Sequence, residues 1–276
     1  MKKLNDAILA IKPSQTLAIS SLAKQMAEQG CHVCNFSAGE PDFDTPDLIK
    51  EAAITALRQG KTKYTPVAGV PQLCKALSAK FARDNGLDYK PSQIVVSCGG
   101  KHSLALVFQT LLNPGDEVLI PTPFWLSYPE MVRVAGGIPV FIHTTADQSF
   151  KITPQHIERL IGPATKALVI NSPSNPTGVM YTPEELRALG ETALLHDITI
   201  ISDEIYEKMV YDGQRQVSMA SFSKALYDNT ITVNGVRLFD TGRPLPFDEA
   251  AMREKLEPRD VTVDIDLGMG QAESVV

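Results

Sequence analysis

The chain has 276 residues, with 26 basic against 32 acidic side chains and a net charge of −6. That balance gives no general attraction to nucleic acid or to an anionic membrane surface, and the length suits one large α/β domain or a domain with an appendage. The four cysteines are too few for a disulfide framework, and no stretch approaches the apolar length of a membrane span.

The opening, Met1-Lys2-Lys3-Leu4-Asn5-Asp6, is basic, but the apolar run 7–11 is short and closes at Lys12-Pro13 without a small-residue cleavage site. No secretory signal is expected, and the expected address is cytoplasmic. Helical apolar spacing runs from Thr16 to Gln29, ending at Gly30, and again from Pro46 to Gln59, ending at Gly60. Between them Cys31-His32-Val33-Cys34 has the spacing of redox and zinc sites. A zinc site needs two more ligands, and Cys74 and Cys98 stand alone in apolar patterns, so the segment reads as a short strand and no metal is expected.

A third helix is predicted over 70–85, then a strand at Ile94-Val95-Val96, a helix over 101–112, a strand over 116–120 and a short helix over 128–135. The alternation continues with a strand at 138–142, a helix at 154–161, a strand at 167–170, a helix at 183–196 and a strand at 198–201. A further apolar strand ends in Val233-Asn234-Gly235, preceded by Leu226-Tyr227-Asp228-Asn229 as a connector. Strands and helices taking turns at this spacing imply βαβ crossovers and a mostly parallel sheet covered on both faces. Ligands of such sheets sit beyond the carboxyl ends of the strands.

Several chemistry-bearing residues fall at those ends. Ser97-Cys98-Gly99-Gly100-Lys101 joins a strand to a helix, which either presents free backbone amides to an anion such as phosphate or is simply a tight turn. Trp125, the only tryptophan, follows another strand; its ring could stack on a flat cofactor or pack in the core. Asp203 follows the apolar run Ile198-Thr199-Ile200-Ile201. A carboxylate there needs a compensating partner, for which a protonated pyridine nitrogen would serve; an N-cap role for the following turn is the alternative. Tyr206, three residues on, could reach the same ligand.

Five segments in order resemble the successive motifs of class I, aspartate aminotransferase-like, pyridoxal-phosphate enzymes. They are Ser37-Ala38-Gly39-Glu40-Pro41-Asp42-Phe43-Asp44-Thr45-Pro46, Gly60-Lys61-Thr62-Lys63-Tyr64, Gly99-Gly100-Lys101, Asn171-Ser-Pro-Ser-Asn-Pro-Thr-Gly178, and Ser202-Asp203-Glu204-Ile205-Tyr206. The resemblance covers about residues 1–235. It implies the large domain of the fold type I architecture over 36–235, preceded by an arm and helix over 1–35. Pyridoxal 5′-phosphate is the implied cofactor, and amino-group transfer between an amino acid and a 2-oxo acid the implied reaction. By the same resemblance Gly39 contacts the substrate carboxylate, and Tyr64 reaches the cofactor phosphate of a partner subunit, which implies a homodimer. Gly99, Gly100 and Lys101 form the phosphate turn, with backbone amides counting for more than the Lys101 side chain. Trp125 stacks on the pyridine, Asn175 and Tyr206 bond its phenolic oxygen, and Asp203 partners the ring nitrogen.

The lysine that such enzymes bond covalently to the cofactor should follow the strand ending at Gly235, yet Leu238 takes that place by count. Ser221-Phe222-Ser223-Lys224-Ala225 spells the lysine motif but precedes the strand, so Lys224 is either the covalent residue or a surface lysine. Beyond Gly235 the aminotransferase resemblance stops, with a short α+β tail over 236–276 in place of the small C-terminal domain. This tail is similar to the end of ornithine acetyltransferases. A helix is expected over 249–256 and a strand over Val261-Thr262-Val263-Asp264-Ile265-Asp266-Leu267. Three readings therefore stand: a working transaminase, a module that binds the cofactor without turnover, or a truncated or fused product with neither activity.

Overall fold

A computed structural model describes residues 4–11, 15–33, 39 and 44–235. The chain divides between Asp44 and Thr45 into two compact units. In the first, α1 (Asp6–Leu9) and α2 (Gln15–Glu28) are the regular elements, and α2 is closed by Gly30 at φ 85°. Cys31 to Val33 carry no strand, contrary to the sequence expectation, and Cys34 lies outside the described residues.

The second unit begins with α3 (Asp47–Arg58) and α4 (Pro71–Lys80), the latter running into a π-helical turn over Phe81–Asn85 that Gly86 ends at φ 68°. Then follow α5 (Gly100–Leu111), β1 (Glu117–Pro121), α6 (Ser127–Val134), β2 (Ile138–Ile142), α7 (Pro154–Glu158) and β3 (Thr165–Asn171). The unit continues with α8 (Pro183–Leu195), β4 (Thr199–Asp203), α9 (Lys224–Asn229) and β5 (Thr230–Val233). The five strands form one sheet in the order β2-β1-β3-β4-β5, every pair parallel. No helix among the described residues is long and apolar enough to cross a membrane.

Side chains alternate across the sheet, and each face has its own core. Leu119, Leu168, Ile170 and Ile200 point to one side with Ile157, Leu186, Leu189, Met219 and Leu226. Val118, Ile120, Ala167, Val169 and Ile201 point to the other with Leu104, Phe108, Tyr128 and Val132. Strands buried on both faces read as continuous apolar runs, which is why Ile198 to Ile201 shows no alternation. Gly190 of α8 lets the helix pack closely: a Cβ there would lie 2.8 Å from Leu226 Cδ2 and 2.9 Å from Met219 Sδ.

Two further sequence expectations are corrected. Ile94 is extended, at φ −109° and ψ 130°, but 94–96 is not a strand. Its backbone bonds are Ile94 N–H to Pro91 O, 3.3 Å, and Val96 N–H to Ala68 O, 3.0 Å, and among the described residues no strand lies alongside to form a ladder. The expected connector Leu226 to Asn229 is helical within α9, because the Ser223 hydroxyl accepts from Leu226 N–H at 3.1 Å and caps a helix start.

Candidate functional site

β3 and β4 end level, Asn171 opposite Asp203. The Asn171 amide donates to Asp203 O at 3.0 Å, while its oxygen accepts from Asn175 N–H at 2.7 Å. One side chain thus fixes the end of β4 and the loop after β3 together, and that loop carries Asn175 to Tyr206. The Asn175 amide donates to the Tyr206 hydroxyl at 3.2 Å.

Asp203 continues the Ile201 side of the sheet, so it points toward α5 and α6, and it is only 3% exposed. The Tyr128 hydroxyl donates to its Oδ2, and Ile205 N–H donates to Oδ1 at 3.2 Å. Burial raises its pKa from 3.8 to about 6, with the two hydrogen bonds acting the other way. Burial likewise pushes the Tyr128 hydroxyl well above its ordinary value, with the Asp203 charge adding to it. Tyr128 was not among the residues singled out from sequence. Its signal was the Trp125-x-x-Tyr128 spacing just past a strand end, which places both rings on one side of a turn; they meet edge to face at 5.4 Å.

Gly99 stands before α5 at φ 84°, a conformation that glycine adopts without strain. Helix geometry leaves the first amides of α5 without intrahelical partners, and the dipole makes that end positive. Gly100 faces the Asp203 turn, since a Cβ on it would lie 3.6 Å from Ile205 Cδ1. Lys101 Nζ sits 5.2 Å from the centre of the Trp125 ring, which joins the helix start to the aromatic pair. The structure therefore brings together Gly99, Gly100, Lys101, Trp125 and Asp203 on one side of the strand ends, with Asn175 and Tyr206 beside them.

It does not bring Lys224 there. α9 leads into Thr230, which pairs with Ile200, whereas Asp203 pairs with Val233 at the other end of the strand. Those three steps amount to roughly 10 Å, and Lys224 lies further back still. It is exposed, bound to the Asp228 carboxylate on its own helix and 5.4 Å from the Tyr227 ring centre. Tyr64 lies fully exposed between α3 and α4. Gly39 belongs to the first unit and is exposed. Leu238, the predicted helix over 249–256 and the strand over 261–267 lie outside the described residues.

A second polar cluster is buried next to Tyr206. Lys80 Nζ pairs with Glu207 and donates to Asn85 Oδ1 at 3.0 Å and Asn234 Oδ1 at 3.2 Å. The amides of Asn85 and Asn234 donate to Glu207 Oε2 at 2.6 and 2.7 Å. The end of α4, the turn after β4 and the end of β5 are held by this one network.

The family profile described as aminotransferase class I and II matches residues 32–236. The chain belongs to the class I and II aminotransferase family. It is 52% identical over 234 residues to an aspartate aminotransferase of Geobacillus stearothermophilus, covering 85% of this chain and 60% of that protein. It is 48% identical over 235 residues to an aspartate/prephenate aminotransferase of Thermus thermophilus, again covering 85% of this chain and 60% of the relative. The chain thus spans about three-fifths of the length of these curated relatives. Among solved structures, the Thermus thermophilus aspartate aminotransferase with maleate superposes at a TM-score of 0.81, with 47% identity over 86% of this chain and 61% of the other. The aspartate aminotransferase of Rhizobium meliloti gives 0.81 at 42% identity.

Aminotransferases of this family depend on pyridoxal 5′-phosphate. The wall described above fits that group. Asp203 is a buried acceptor matched to a protonated ring nitrogen, the Asn175–Tyr206 pair offers polar groups beside it, and α5 presents its amide-rich start.

Proposed function

We propose that this chain binds pyridoxal 5′-phosphate at the carboxyl ends of β3 and β4 and serves amino-group transfer of the aspartate aminotransferase kind, between an amino acid and a 2-oxo acid. The observation that carries this reading is Asp203, a carboxylate 3% exposed at a parallel strand's end and braced by Tyr128. Left uncompensated, such a buried charge is costly; a pyridinium proton compensates it. Gly99, Gly100 and Lys101 would hold the phosphate, chiefly through backbone amides. Trp125 would cover the ring, and Asn175 with Tyr206 would bond the phenolic oxygen. Gly39 would meet the substrate carboxylate, and Tyr64 would reach the phosphate bound by a partner subunit of a homodimer. When bound, the cofactor supplies an electron sink for the substrate's α-carbon. Asp203 strengthens that sink by keeping the ring nitrogen protonated.

A second reading, binding without turnover, is favoured by one observation: Lys224 is tied to Asp228 near the amino end of β5, away from Asp203. The experiment that separates the two is a cofactor titration followed by Trp125 fluorescence and cofactor absorbance, then borohydride treatment with peptide mass analysis, then an assay with aspartate and a 2-oxo acid. Saturable binding with the cofactor mass fixed on a lysine, and measurable transfer, upholds the transaminase. Saturable binding with neither label nor transfer upholds the second reading. Absence of saturable binding overturns both.

A further inference from the structure

We propose, on the reading that pyridoxal phosphate binds at the carboxyl ends of β3 and β4, that Glu207 is a positioning residue for that site. Held by Lys80, Asn85 and Asn234, it sets where the Tyr206 hydroxyl meets the cofactor's phenolic oxygen.

β4 lies between β3 and β5 in the sheet, and the turn that follows it sends adjacent side chains to opposite neighbours. Tyr206 reaches the loop after β3, where the Asn175 amide donates to its hydroxyl at 3.2 Å. Glu207 reaches the end of β5, where Asn234 Nδ2 donates to its Oε2 at 2.7 Å. The turn's own backbone bonds are local. Glu207 N–H to Glu204 O at 3.0 Å and Met209 N–H to Tyr206 O at 2.8 Å shape it, and Glu204 N–H to Val233 O at 2.8 Å ties its start to β5. Past Glu204 the buried anchor on the β5 side is the Glu207 side chain; the exposed Lys208–Asp84 pair at 3.1 Å is a weaker tie.

That anchor is closed on itself. Glu207 Oε1 takes the Lys80 ammonium and Oε2 the amides of Asn85 and Asn234, while both asparagine oxygens accept from the same ammonium. Each proton of Lys80 and both ends of each asparagine amide are thus used. The side chains of Lys80 and Glu207 are only 13% and 5% exposed. A buried ion pair adds little net stability over an apolar pair of the same shape, but its bonds have fixed directions. The end of α4, the turn after β4 and the end of β5 must therefore keep register for this network to close. A hydroxyl that bonds a cofactor oxygen needs placement within about 0.5 Å, and Tyr206 is one residue from the anchor.

Absorbance of the bound cofactor against pH, on the full chain saturated with pyridoxal phosphate, tests this. Hydrogen bonds from Asn175 and Tyr206 favour the ionised phenolic oxygen, so misplacing one raises the midpoint of its ionisation. Glu207→Gln should raise that midpoint by about half a pH unit or more, a roughly threefold drop in the ionisation constant, and so should Tyr206→Phe. The double variant should shift no further than Tyr206→Phe alone, because both changes act through one bond. Asp203, Tyr128 and Lys101 are the same in every variant, so the differences report on Tyr206. A Glu207→Gln midpoint that equals that of wild type overturns the proposal, even with a lowered melting temperature. So does one that falls, as loss of the Glu207 charge alone would make it, and so do additive shifts. If Glu207→Gln does not fold, Lys80→Gln combined with Glu207→Gln, which buries no lone charge, is read in the same way, and failure of that pair to fold overturns the proposal as well. Wild type that binds no cofactor overturns the proposed function too, an outcome distinct from binding with an unshifted midpoint.

Discussion

Asp203 and Glu204 are neighbours in sequence, both buried, and they face opposite sides of the sheet. Glu204 is 1% exposed, and its Oε1 accepts from Ser202 and Ser218 at 2.8 Å each and from Met219 N–H at 3.2 Å. Its Oε2 has no hydrogen-bond partner among the described residues, and burial raises its pKa from 4.5 to about 7. All three of its donors belong to chain segments that pack there anyway, so Glu204 ties the core together. Asp203 has two donors, both on the side where α5 begins and Trp125 stands. The difference is one of direction: of two buried acids, the one that faces the strand-end wall is the one available to a ligand.

Four substitutions break or sharpen that contrast, from the largest effect to the smallest. For Glu204 the folded state holds the proton more tightly than the unfolded chain, so its contribution is intact below pH 4.5 and is lost as pH rises through about 7. Wild type should lose about 3 kcal/mol relative to Glu204→Gln between pH 4.5 and pH 8, read from denaturant melts across pH, with cofactor affinity kept. Asp203→Asn should do the reverse, leaving the fold intact and weakening pyridoxal phosphate binding by about 2 kcal/mol, or roughly 30-fold, in a fluorescence titration. Wild-type affinity should rise as pH climbs through about 6, where Asp203 ionises, and the Asn variant should flatten that rise. Tyr128→Phe removes a bond that favours ionised Asp203, so the midpoint should move above 6 and binding should weaken by about 1 kcal/mol. Lys224→Ala should change neither cofactor affinity nor the borohydride product, since the exposed pair with Asp228 is far from the wall.

The sheet was legible in the sequence because its strands are apolar runs bounded by turns; β2 matched to the residue, and β1, β3 and β4 within a few positions. Ile94 to Val96 has the same composition but no paired neighbour among the described residues, and pairing is a property of two segments rather than one. The helix at Lys224 was missed because its signal is a single capping serine ahead of a short stretch. Asn175, Tyr206 and Asp203 could be named in advance since each follows a strand within a few residues. Tyr128 could not, because its role depends on which side of β4 the Asp203 side chain takes, and that is the side on which Ile201 joins the core of Phe108 and Val132.

The Lys80–Glu207–Asn234 network also bears on the chemical ageing of the chain. Asn-Gly sequences deamidate when the asparagine side chain swings free to meet the next backbone nitrogen. Asn234, followed by Gly235, is 4% exposed, with its oxygen bound to Lys80 and its amide to Glu207. Conversion to aspartate would replace a donor to Glu207 with a second negative charge in a buried place, which the fold resists. The contacts that close the end of the sheet thereby lengthen the chemical lifetime of this Asn-Gly dipeptide.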